Sequence, residues 1–152
     1  MISAPECHFL TAFRRLAITQ GLTLGGLQSG RHLDFLVVTT AAALAFASGR
    51  AYTEAEVNAL LKTWLAGPGR MLASDHVELR RWLVDCRLLE RDGYGHRYGR
   101  TEAADAWRVA LTALDGVDLA CEADTARAAD AARRAERKAR WESRGHAATG
   151  RE

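Results

Sequence analysis

The residues of this 152-residue chain best suited to chemistry are cations. Arg80 and Arg81 stand side by side in "DHVELRRWLVDCRLLERDGYGHRYGR", residues 75–100, with His76 before them and Arg91, His96, Arg97 and Arg100 after. A guanidinium pairs bidentately with a phosphate or with the edge of guanine, so such a cluster suits an anionic polymer. A second run, "ARRAERKAR" at 132–140, gathers Arg133, Arg134, Arg137 and Lys138, whose affinity for phosphates would fall steeply with salt. Each run also has an ordinary reading. Glu78 and Asp85 can pair with Arg81 along one helix, Glu90 and Asp92 can balance a hairpin, and Asp130 can hold Arg134 at i+4. Tyr94 and Tyr98 could stack on bases, although Tyr98 reads better as a core residue.

Other chemistry finds little footing. No GxSxG, P-loop or HExxH pattern occurs, and "GLTLGGLQSG" has no lysine after its glycines. Cys7 and His8 are adjacent, which does not suit chelation from one helix face, and His76 with His96 makes only two ligands. Cys86 reads as a small core residue. The chain is expected not to be an enzyme, and neither metal nor cofactor is expected.

A composition of 48% hydrophobic and 26% charged residues is that of a globular chain able to bury a core. The net charge of +2 is too small to define a partner. Its distribution says more, because Arg127 onward holds seven arginines and Lys138 against Asp130, Glu136, Glu142 and Glu152. Three unpatterned cysteines argue against a disulfide framework and for a reducing cytoplasm. The longest apolar run, residues 33–47, falls short of the ~18 residues a membrane span needs. The N-terminus has no secretory pattern. A cytoplasmic protein without membrane contact is expected.

The elements that must position the cations follow from periodicity. "PECHFLTAFRRLAIT", 5–19, repeats Phe9, Phe13, Leu16 and Ala17 at helical spacing, with Pro5 in the first turn. The glycines of 21–31 predict a loop. Asp34 is a candidate N-cap for an apolar helix ending before Gly49, although "FLVVTT" could also be a strand. Thr53 and Glu56 have capping-box spacing ahead of Val57, Leu60, Leu61, Trp64 and Leu65. Ser74 or Asp75 caps a third helix, on which Leu79, Leu83 and Cys86 share a face. "DG" at 92–93 turns a hairpin between "LLER" and "HRYGR". Thr101 is placed to cap a helix carrying Trp107, Leu111 and Leu114. Beyond Cys121 an Ala/Arg-rich helix has little to bury except Trp141, and the last residues, from Gly145, are expected to be disordered.

Helix, helix, helix, hairpin is the order of a winged helix-turn-helix. The expected fold is therefore mainly α with a small β-hairpin. It divides into an N-terminal helix and Gly-rich loop (1–33), a winged-helix core (34–100), a packing helix (101–120) and a basic helical tail (121–152). In helix-turn-helix proteins the recognition helix enters the major groove. Here that helix would carry His76, Arg80 and Arg81, and the wing Arg91, His96, Arg97 and Arg100.

"YTEAEVNALL", "LRRWLVD" and "LLERDGYGHRY" together resemble an uncharacterised prokaryotic family, a domain of unknown function found alone or fused behind a helix-turn-helix module in transcriptional regulators. The resemblance spans roughly residues 40–100 and implies a winged-helix fold in a regulatory context, with no established activity. Two departures stand out. "AGPGRMLAS" is longer than the family's usual connection, and Arg87 stands where a turn glycine is expected, a strained place for arginine if φ is positive. The expectation is a DNA-binding regulator or DNA-associated accessory factor, a homodimer, meeting double-stranded DNA or else single-stranded nucleic acid. The alternative is a protein–protein interaction module whose flanking helices bury against a partner.

Overall fold

A computed structural model describes residues 4–94, 96–102 and 106–149. Its elements are α1 (Ala4–Ala17), α2 (Leu24–Gly30), α3 (His32–Ala43), β1 (Ala51–Thr53), α4 (Glu54–Ala66), α5 (His76–Asp85), β2 (Leu89–Arg91), β3 (Arg97–Arg100), α6 (Ala106–Leu114) and α7 (Leu119–Thr149). The protein is mainly helical, with one small antiparallel sheet in the order β1-β3-β2.

Helix α3 is the centre. Nine of its twelve residues are buried, and α1, α2 and α6 pack around it. A helix this apolar on every side has no solvent face to keep, which is why "FLVVTT" folds as helix despite its β-branched residues. Asp34 does not cap it. The carboxylate lies in the first turn, 5% exposed, where it accepts from Arg15 and forms an ion pair with Arg31, at 2.5 Å each. Nor does the helix reach Gly49. It ends at Ala43, where Ala45 and Phe46 turn back to the carbonyls of Ala42 and Ala43 and the Phe46 ring enters the core.

The expected loop at 21–31 is also corrected. Thr23 caps α2, its hydroxyl accepting from Gly26 N–H at 3.2 Å, and Leu24 and Leu27 bury one face. A cap and two leucines at i, i+3 outweigh the poor helix propensity of three glycines.

Other expectations meet the structure directly. Phe13, Leu16 and Ala17 of α1 are buried, with Phe9 half-buried. Thr53 accepts from Glu56 N–H at 3.2 Å and starts α4. Asp75, rather than Ser74, caps α5 by accepting from Glu78 N–H at 2.8 Å. The Thr101 hydroxyl donates to the carbonyl of Arg87 and its N–H to that of Leu88, while the N–H groups it is expected to cap lie outside the described residues. The start of α6 borders residues 103–105, outside the described residues. Helix α7 continues to Thr149, so the segment expected to be disordered falls partly within it and partly outside the described residues. The Cys7 side chain also lies outside them.

Candidate nucleic-acid interface

Three elements carry the first cation cluster. Helix α5 buries Leu79 and Leu83 and half-buries Cys86, which leaves Arg81 pointing to solvent. Strand β3 sits between its neighbours, with Tyr98 opposite Tyr52 on one side and Arg91 on the other. Residues directly opposite share a face, so Arg91 lies on the side of the sheet that the Tyr52 and Tyr98 rings turn to the core. Arg97, one residue from Tyr98, belongs to the other face.

The cluster thereby separates into bound and free groups. Arg80 is bound. Its Nη1 donates to Glu54 Oε1 at 2.9 Å and Asn58 Oδ1 at 2.7 Å, and its guanidinium carbon lies 5.9 Å from the centre of the Tyr98 ring. Arg100 is bound as well, Nη1 donating to the Phe46 carbonyl at 3.1 Å. Arg81, Arg91 and Arg97 are exposed and make no ion pair among the described residues, so neither Glu78 nor Asp85 holds Arg81. His76 is half-buried in the first turn of α5.

Arg91 lines three hollows, two of which it shares with Tyr98. A cleft of about 290 Å³ between α5 and the sheet is lined by Val77, Arg80, Arg81, Val84, Asp85, Arg91 and Tyr98. A shallower groove of about 550 Å³ along the hairpin has Arg50, Arg91, Arg97 and Arg100 on its walls, with Glu90 and Asp92. Arg50 escaped the sequence reading. It precedes a three-residue strand whose partner is more than forty positions away, so no local pattern marks it.

The hairpin tip is ordered by Asp92. Its carboxylate accepts from His96 N–H at 2.8 Å, and that bond above all holds its pKa below the ordinary aspartate value. Tyr94 and His96 lie with their rings near parallel, 15° apart with centroids at 6.5 Å. Cys86, beneath α5, has its thiol pushed up to about 11, first by burial and then by the Asp85 charge, which suits a core residue rather than a nucleophile. Among the described residues no group of three His, Cys, Asp or Glu side chains could hold a metal ion.

The second run is elsewhere. Arg127 at the root of α7 donates to the carbonyls of Ala17, Gly67 and Pro68, just past the end of α4, whereas Arg80 holds the first two turns of α4. Those ends are ~20 Å apart for 13 residues of helix. Arg133 and Arg134 both reach Asp130, at 3.8 and 2.9 Å, and Lys138 lies 4.0 Å from Glu142. Arg137 makes no ion pair among the described residues.

Fold and cations together define a mainly helical protein with a small sheet and two separate basic surfaces. Residues 29–100 match the bacterial family described as "Uncharacterized protein conserved in bacteria (DUF2087)", so the chain is similar to that family from just before α3 to the end of β3. No curated protein and no solved structure matches the chain. None of the described helices is long and apolar enough to cross a membrane.

Proposed function

We propose that this chain is a winged-helix DNA-binding protein, a transcriptional regulator or DNA-associated accessory factor, that meets duplex DNA with α5 and the β2–β3 wing. The observation that carries the reading is that Arg91 lines the cleft with Arg81 on the helix and the groove with Arg97 on the wing, three exposed guanidiniums without an ion pair among the described residues. The third strand, β1, completes a sheet around the wing as that fold would have it. Asp85 in the cleft and the internal engagement of Arg80 and Arg100 leave few cations for bases, so contact is chiefly to phosphates.

The test is anisotropy of a labelled random duplex across a salt series. Arg81→Ala with Arg91→Ala weakens binding at least tenfold and flattens the log–log salt slope by about 2, one phosphate contact for each arginine. A chain that binds no duplex at low salt, or a double variant that binds like the parent, sinks the reading. The interaction-module alternative would then be pursued by light scattering for a homodimer.

A further inference from the structure

The core takes most of the aromatic side chains. Phe13, Phe46, Tyr52, Trp64 and Tyr98 are buried. Two are left in water, Tyr94 at the hairpin tip, 85% exposed, and Trp141 on α7, 75% exposed. Removing an indole from water is favourable, so an indole left almost bare on a regular helix invites a question about what covers it.

Its neighbours on the helix narrow the answer. Arg134, Arg137 and Lys138 precede Trp141 by seven, four and three residues, and Arg144 follows by three, so all lie on the same side of α7. Residues 131–145 are all exposed and carry six cations against Glu136 and Glu142. Arg134 is held at 2.9 Å by Asp130, just before this stretch, whereas the pairs Lys138–Glu142 and Arg140–Glu136, at 4.0 and 3.9 Å on exposed side chains, are too loose to withhold their charge from a phosphate. Apart from Trp141 the apolar residues here are alanines. A lipid surface or a second helix would need larger side chains on one face. A polyanion with flat apolar faces needs cations and one aromatic ring.

We propose that α7 is an arm for single-stranded nucleic acid, in which the Trp141 indole stacks on an unpaired base while Arg137 and Lys138 hold the adjoining phosphates. In a duplex each base face is covered by its neighbour, so the ring finds its partner in a strand whose bases are free. The inference rests on the reading that the chain binds nucleic acid, and adds the form bound and the residue that selects it. Duplex and strand then engage different surfaces.

The experiment titrates the full chain into a labelled oligothymidylate of about 20 nucleotides, and separately into a duplex of that length. Trp141→Ala weakens the single strand roughly five- to a hundred-fold. The salt slope stays unchanged, because a neutral side chain releases no counterion. Trp141→Phe keeps most of the affinity. Arg137→Ala with Lys138→Ala instead lowers the slope by about 1.4. With its ring in solvent, Trp141 can be replaced without disturbing the core, and circular dichroism verifies this. A Trp141→Ala chain that binds the strand like the parent overturns the proposal, even if the Arg81 and Arg91 variants still weaken the duplex. Strand binding that needs Trp141, with no duplex binding, overturns the helix-and-wing reading alone. Anionic vesicles that shift Trp141 emission, with no strand bound, would replace the proposal by a lipid surface.

Discussion

Arg87 is the one described non-glycine residue with positive φ, at 60°. Leu88 N–H reaches the carbonyl of Leu83 at 2.9 Å and Arg87 N–H that of Val84 at 3.0 Å, the paired bonds of a Schellman motif closing α5. The motif wants glycine at this position because a Cβ there crowds the backbone. Arg87→Gly should therefore raise stability by about 0.5–1 kcal/mol, the relief of a left-handed side chain exceeding the added freedom of the unfolded chain. Chemical denaturation checks it, and an unmoved midpoint would mean that arginine is not strained. The requirement was legible through the family resemblance, which implies a turn glycine at this position. The occupation of Arg80 by Glu54 and Asn58 was not, since those partners sit more than twenty residues upstream, and only the packing of α5 on α4 brings them within reach.

At the level of elements, legibility followed the length of the pattern. Helix α4 announced itself through a cap and a five-residue apolar stripe, and the β2–β3 hairpin through its Asp-Gly turn. Helix α2 hid behind glycines, because Thr23 and two leucines decide it against propensity. Strand β1 hid because three residues carry no period and its partner β3 is remote. The connection from α4 to α5 shows the same dependence on packing. It reads as a breaker, yet a Cβ on Gly69 would come within 2.1 Å of the Trp64 ring, which is only 6% exposed. Gly69 N–H also bonds the Trp64 carbonyl at 2.8 Å, so this turn folds back over the indole that ends α4. Gly69→Ala must displace that ring or the turn, and a loss of about 1–3 kcal/mol is expected. The same change at Gly25, where a Cβ meets nothing within 4 Å, is the control and should be neutral or mildly stabilising. Equal thermal midpoints for the two variants would remove the packing argument.

On the scale of the whole molecule, one side chain decides how the basic arm is carried. Arg127 Nε donates to Ala17 O at 3.0 Å, Nη1 to Gly67 O at 2.9 Å and Nη2 to Pro68 O at 3.2 Å. Ala17 is the last residue of α1, and Gly67 and Pro68 follow α4, so a single guanidinium answers the negative ends of two helices. Burial, and then Arg70 nearby, pull its pKa down, but an arginine starts so high that it stays charged at neutral pH. With Leu119 and Ala123 buried and Glu122 bonded to Arg14 at 2.7 Å, this contact fixes the first third of α7 to the body, and the exposed remainder extends from there. Arg127→Ala should lose about 2 kcal/mol, less than three charged hydrogen bonds at full value because the group is partly solvated. Arg127→Lys should recover little, since one ammonium on a flexible stem cannot span three carbonyls in a fixed fork. Hydrogen exchange locates the effect. Faster exchange over residues 119–131 than over α3 means that the arm has come away from the body, whereas uniform change would make Arg127 a general stabiliser. Unchanged exchange and stability would leave the apolar contacts of α7 sufficient to hold it.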